Sequence, residues 1–152
     1  MKAMEFKRPL SVLVVIHTPT FEVALLERKL HPGFWQSVTG SHEGEETLRA
    51  TAMREAYEET GIVATQDNLL DWQISNCFEI MSQWRHRYAP DVTHNIEHVF
   101  SLCVPETINL QLSAREHSAQ VWLPYKAAAA QCFSSSNRDA ILMLPHILSS
   151  KK

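Results

Sequence analysis

Apolar residues fall in two rhythms along this chain. Leu10 to His17 (Leu-Ser-Val-Leu-Val-Val-Ile-His) is short and β-branched, which predicts a largely buried strand. Thr18-Pro19-Thr20 makes a turn, and Glu22 to Arg28 returns as a second strand. Pro32-Gly33 signals another turn, after which Phe34 to Thr39 leads directly into Gly40. From Thr47 the spacing becomes helical. Leu48, Ala52, Met53 and Ala56 supply an apolar face, Thr47 is an N-cap and Gly61 a C-terminal stop.

Beyond the helix, Ile62 to Thr65 is expected as a short strand, and alternating apolar segments run from Leu69 to Met81. Trp84-Arg85-His86-Arg87-Tyr88-Ala89-Pro90 is a basic and aromatic cluster expected at a loop or hairpin tip. Asn95 to Val104 and Ala119 to Leu123 read as further strands. An alanine-rich helix is expected over Lys126 to Cys132, started by Pro124. Ser134-Ser135-Ser136-Asn137 offers caps for a last helix from Arg138 to about Leu148, interrupted by Pro145. Strands interspersed with helices predict a mixed sheet covered on both faces.

Composition narrows the function without choosing it. The chain of 152 residues is expected to form one domain, 1–152, with a proper core, and its 45% hydrophobic and 20% charged fractions are those of a globular protein. A net charge of −3 gives no broad attraction for nucleic acid or an anionic membrane, so an anionic substrate would need local cations or a metal. Cys77, Cys103 and Cys132 are far apart and form no C-x-x-C pair, which argues against a disulfide framework or a zinc site. With no signal-peptide pattern and no run of membrane-spanning length, the expected location is the cytoplasm. No obligatory protein partner is evident.

The chemistry concentrates between Gly40 and Ile62. Glu55, Glu58 and Glu59 crowd one sector of the helix at spacings of three and four, where like charges repel. They also occupy its last two turns, where the macrodipole disfavours negative charge. An acidic helix face is ordinarily just solvated, and Arg54, four residues before Glu58, could partly neutralise it. The unfavourable placement, behind a loop suited to close backbone approach, favours instead a divalent cation, since hard cations take carboxylate oxygens.

The residues also fit a known pattern. Gly40, five residues, Glu46, seven residues, then Arg54-Glu55-Ala56-Tyr57-Glu58-Glu59-Thr60-Gly61-Ile62 resembles the Nudix box. The resemblance implies a Nudix-type α/β/α sandwich with the box helix beside a mixed sheet and its glutamates facing a cleft. It implies hydrolysis of a phosphoanhydride in a nucleoside-diphosphate-like group, with Mg²⁺ as cofactor and Mn²⁺ as a substitute. By the same resemblance Glu55 and Glu59 are the principal metal ligands and Glu58 an additional one. Arg54 and Glu46 are orienting residues, and Glu116 is a catalytic base or a further ligand. One departure stands out: Gly44 is one place earlier than the family's usual loop glycine, with Glu45 in that position.

Segments outside the box are similar to the branch of the family that acts on dihydroneopterin triphosphate. They are Lys7-Arg8-Pro9, Phe34 to Gly40, Arg85 to Pro90, and Asn137-Arg138 with Ala140-Ile141. That similarity implies cleavage to the monophosphate and pyrophosphate, a step of folate synthesis, with Lys7, Arg28, Thr39, Gly40, Phe78, Glu79, Ile80, Met81 and Ser134 as substrate contacts. Two other readings compete. One is a broad (deoxy)nucleoside triphosphate pyrophosphohydrolase acting on dATP and its like; the other is a nucleotide-binding module that no longer catalyses.

Overall fold

The computed structural model describes residues 5–150, so the extreme ends of the expected 1–152 unit lie outside the described residues. Strand β1 (Leu10–His17) is its centre. Alternate side chains of a strand point to opposite faces, and both faces of β1 are covered. Val12, Val14 and Ile16 pack with Ala52 and Ala56 of helix α1 (Leu48–Thr60). Leu13 and Val15 pack with Ala128 and Ala129 of α2 (Tyr125–Gln131), and with Ile141 and Leu144 of α3 (Ser135–Ser150). The uninterrupted apolar run therefore reflects two cores separated by one sheet, the α/β/α sandwich that the pattern predicts.

The sheet has seven strands and is mixed. β1 runs parallel to β6 (His94–Cys103), in register from Leu10↔Ile96 to His17↔Cys103. On its other side it pairs antiparallel with β4 (Val38–Ser41), from Ser11↔Ser41 to Val14↔Val38. It meets β2 (Glu22–Arg28) only at His17↔Val23, next to the turn. β2 pairs instead with β3 (Trp35–Gln36) and β7 (His117–Pro124), and β5 (Leu69–Glu79) pairs with β6. β1 and β2 thus belong to different parts of the sheet, and the ends of β2, β3 and β4 border a cleft lined by Arg28, Gln36 and Gly40.

Three local expectations change. The lead into Gly40 divides into β3 and β4 at Ser37, because the Ser37 N–H donates to Asn137 Oδ1 (2.8 Å) of α3 instead of to a neighbouring strand. Ile62–Thr65 is not a strand. Its amides are taken by side chains, Ile62 N–H by Thr60 Oγ1 (3.2 Å) and Thr65 N–H by Asn68 Oδ1 (2.7 Å), so no ladder forms. Pro145 does not interrupt α3, which runs through to Ser150. Burial of Ile141, Leu144 and Ile147 on either side offsets the hydrogen bond that a proline removes. The basic and aromatic cluster lies at the tip of the β5–β6 hairpin, as expected, where a 3₁₀ helix spans Ser82–Arg87.

Candidate active site

The cleft has a volume of about 1140 Å³. It is walled by α1 on one side, by the start of β1 and the end of β2, and by β5, β6 and the start of α3. Helix α1 starts where the sequence predicts: Thr47 Oγ1 accepts from the Ala50 N–H (3.0 Å). It stops at Gly61, whose φ of 78° is in the left-handed region and whose N–H donates to Tyr57 O (2.8 Å). The preceding loop has its left-handed residue at Gly44 (φ 54°), not at Glu45. Arg8 Nη1 donates to Gly44 O (2.7 Å), tying that turn to the chain just before β1. The shifted glycine therefore still makes the sharp turn.

Arg54 fastens loop and helix together. Its Nε and Nη2 donate to Glu46 (2.7 and 3.1 Å), Nη1 to Glu55 Oε1 (2.8 Å) and Nη2 to Ser41 O (3.0 Å). This bidentate pairing holds the Glu46 carboxyl down at about 2. Glu46 also accepts from Thr51 Oγ1 (3.0 Å), behind the cleft wall. Glu58, more exposed than its neighbours, turns to Arg54 Nη1 (3.3 Å).

Glu55 and Glu59 point inward and are buried. Glu55 lies so close to Gly40 that a Cβ there would overlap its carboxylate. The glycine of the motif is thus the space that the glutamate occupies. Glu59 is only 1% exposed, and neither of its carboxyl oxygens has a hydrogen-bond partner among the described residues. Burial, then the neighbouring Glu55 and Glu116, push its carboxyl well above the usual range; burial also raises Glu55. His117 Nε2 is 3.6 Å from Glu59 Oε1, yet burial and the charge of Arg28 hold that imidazole down at about 4. Both shifts disfavour an ion pair between the two.

A buried carboxyl with two orphaned oxygens is costly unless something else meets them. Ligand atoms of Glu59, Glu116 and His117 lie within 4.8 Å of one another, and Glu55 borders the same cleft. This donor set fits a divalent cation: carboxylate oxygens suit Mg²⁺, and the imidazole nitrogen adds a donor that Mn²⁺ accepts. A cation at this site would favour the ionised form of Glu59, against the burial and neighbouring charges that raise its pKa.

Cations share the cleft with the carboxylates, and Arg28 of β2 stands across from His117 of β7. Lys7, Arg28 and Arg87 line the cleft, and Lys7 is lowered by burial and by the charge of Arg87, with Arg28 adding to the effect. Arg28 lies over the Trp84 ring, 4.8 Å from its centroid. All the residues predicted from the sequence border the same cleft except Glu46, which lies behind Arg54. Thr39, Phe78, Glu79, Ile80, Met81 and Ser134 are among them. Trp84, Arg87, Asn95, Glu97 and His117 also line it and were not singled out individually by sequence reasoning. For Trp84 and Arg87 the basic and aromatic run was the available sign. For His117 the sign was its place beside Glu116; for Asn95 and Glu97, on β6, the sequence carried none.

An acidic helix clamped under a glycine loop, on an α/β/α sandwich and sharing a cleft with Lys7, Arg28 and Arg87, defines a phosphoanhydride hydrolase. The NUDIX domain pattern matches residues 7–144, and the chain belongs to the Nudix hydrolase family. It is 50% identical over 144 residues to the dihydroneopterin triphosphate diphosphatase of Escherichia coli K12, covering 93% of this chain and 95% of that protein. The protein of the same name from Haemophilus influenzae is 40% identical over 141 residues, covering 91% and 88%. The solved structure of the E. coli dihydroneopterin triphosphate pyrophosphohydrolase superposes with a TM-score of 0.84 at 47% identity, covering 90% of this chain and 94% of that one.

Proposed function

We propose that this chain hydrolyses dihydroneopterin triphosphate to dihydroneopterin monophosphate and pyrophosphate in the presence of Mg²⁺. The observation that carries the reading is the 50% identity to the E. coli enzyme of that name along nearly the whole of both chains. The cleft supports it, since it offers cations, an acidic metal site and an apolar and aromatic wall in one continuous space. Atoms balance simply: one water is consumed and the anhydride bridge between the first and second phosphates is broken.

The bound divalent cation supplies charge neutralisation at the phosphate oxygens and a lowered pKa for water. The chain's own residues do the rest, largely by positioning. Glu59, Glu116 and His117 would hold the cation, with Glu55, expected from the resemblance as a principal ligand, bordering the same site and Glu58 as an outer carboxylate. Arg54 keeps Glu55 in place, and Glu46 keeps Arg54 in place. Glu116, reached from the segment before β7, is also suited to take a proton from the attacking water. Lys7 and Arg28 neutralise the triphosphate, Thr39 and Gly40 border its path, and Phe78 to Met81 with Ser134 flank the ring system. The three free cysteines support a reducing, cytoplasmic setting.

The test is a panel of dihydroneopterin triphosphate and the four dNTPs with Mg²⁺, with products identified in ¹⁸O-labelled water. The pterin triphosphate is expected to have the highest kcat/KM, and the label reports which phosphorus is attacked. A clear preference for dATP or any other dNTP would assign a general nucleotide hydrolase instead.

A further inference from the structure

On the α3 side of the sheet, the cleft ends on two polar side chains that the metal chemistry leaves unused. Asn95 and Glu97 alternate along β6 and are 4% and 6% exposed. The Asn95 Nδ2 donates to Ser11 Oγ (2.8 Å), but its Oδ1 has no partner among the described residues. Glu97 Oε1 accepts from Ser136 Oγ (3.2 Å), and among the described residues no cation lies within salt-bridge distance of that carboxylate. Both residues line the cleft. A buried carboxylate with one neutral hydrogen bond, beside an orphaned amide oxygen, leaves acceptor capacity unmet by the protein. Each is an acceptor, and together they call for a ligand that presents several N–H donors along one edge.

We propose that Glu97 and Asn95 read the heterocycle: they pair with a 2-amino-4-oxopyrimidine edge, which carries a ring N–H adjacent to an exocyclic amine. The two carboxylate oxygens match the ring N–H and one amino hydrogen, and Asn95 Oδ1 takes the other amino hydrogen. An oxygen already accepting from Ser136 keeps a second lone pair for this purpose. The inference rests on the pterin reading above, since a pterin carries that edge. Guanine carries it too, whereas adenine offers an acceptor beside its amine. Burial holds the Glu97 carboxyl up at about 7, and N–H donors on the ligand would favour its ionised form.

The test compares wild type with Glu97→Gln on dihydroneopterin triphosphate, dGTP and dATP. Glutamine keeps the shape but presents one acceptor and one donor, the complement of the adenine edge. The expected result is a fall on the order of tenfold or more in the ratio of kcat/KM for the pterin triphosphate to that for dATP. The change should fall mainly on KM, as for binding expressed equally in ground and transition states. The dGTP-to-dATP ratio should fall in parallel. Binding of neopterin, which lacks phosphates, followed by its fluorescence, should weaken by a similar factor. Unchanged ratios, or an equal loss on all three substrates, would overturn the assignment. If Glu97→Gln does not fold, Asn95→Ala decides the matter by the same two ratios. A wild-type preference for dATP would refute the pterin reading alone, because the dGTP-to-dATP ratio still judges Glu97.

Discussion

Gly40→Ala separates catalysis from folding in this protein. Gly40 lies in regular β4 backbone, paired with Val12 and without a positive φ, so alanine meets no backbone strain. The added Cβ would coincide with the Glu55 carboxylate, the flexible end of a side chain. Glu55 must therefore swing away and lose its 2.8 Å bond from Arg54. A hydrogen bond to a charged partner contributes about 1.5–3 kcal/mol. Against this, Glu55 escapes the burial that raises its pKa, and alanine costs less chain entropy than glycine by about 0.5–1 kcal/mol. These terms nearly cancel, so Tm is expected to stay within about 4 °C of wild type. Activity does not share the compensation. Displacing a group beside the metal ligands typically costs about 10–100-fold in metal affinity or turnover. Steady-state rates over a Mg²⁺ titration should show that loss, together with a higher Mg²⁺ requirement. Wild-type kcat/KM and Mg²⁺ dependence in Gly40→Ala would refute the claim that this glycine exists to seat Glu55.

Saturating Mg²⁺ is expected to raise Tm, since a cation at 100 times its Kd stabilises by about 2.7 kcal/mol; EDTA should reverse the rise and Glu59→Gln should abolish most of it in differential scanning calorimetry. Arg54→Lys cannot reproduce the paired bonds to Glu46. Because Glu46 is held at about 2, its contribution is present above the ordinary carboxylate pKa and is lost as pH falls toward 2. After allowance for solvent screening the variant should lose about 1 kcal/mol at pH 7, with a flatter acid limb between pH 5 and 2 in urea melts. Asn137→Ala removes both bonds to Ser37 (2.8 and 2.9 Å) from a side 1% exposed, and should cost about 2–4 kcal/mol by chemical denaturation; a loss under 1 kcal/mol would show that this tie does not anchor α3.

The sequence by itself determined most of the elements, the acidic helix among them. The apolar run of β1, the caps at Thr47 and Gly61, and the spacing from Gly40 to Glu59 are local patterns, and local chemistry explains each. The family resemblance also marked Glu116 as a group outside the box, although it lies 57 positions after Glu59. Tertiary structure alone decided what surrounds those groups. His117 joins Glu59 because β7 pairs with β2, and Asn95 and Glu97 reach the cleft because β6 lies parallel to β1. Pairing partners far apart in the chain leave no spacing to read. Burial works the same way. The helix first marked out by too much negative charge turns out to keep Glu58 at the surface with Arg54, and to sink Glu59 without a partner. Its charges are unfavourable in isolation for reasons written in the sequence, but only the surrounding fold separates the solvated carboxylate of Glu58 from the buried one of Glu59, placed to ligate a metal.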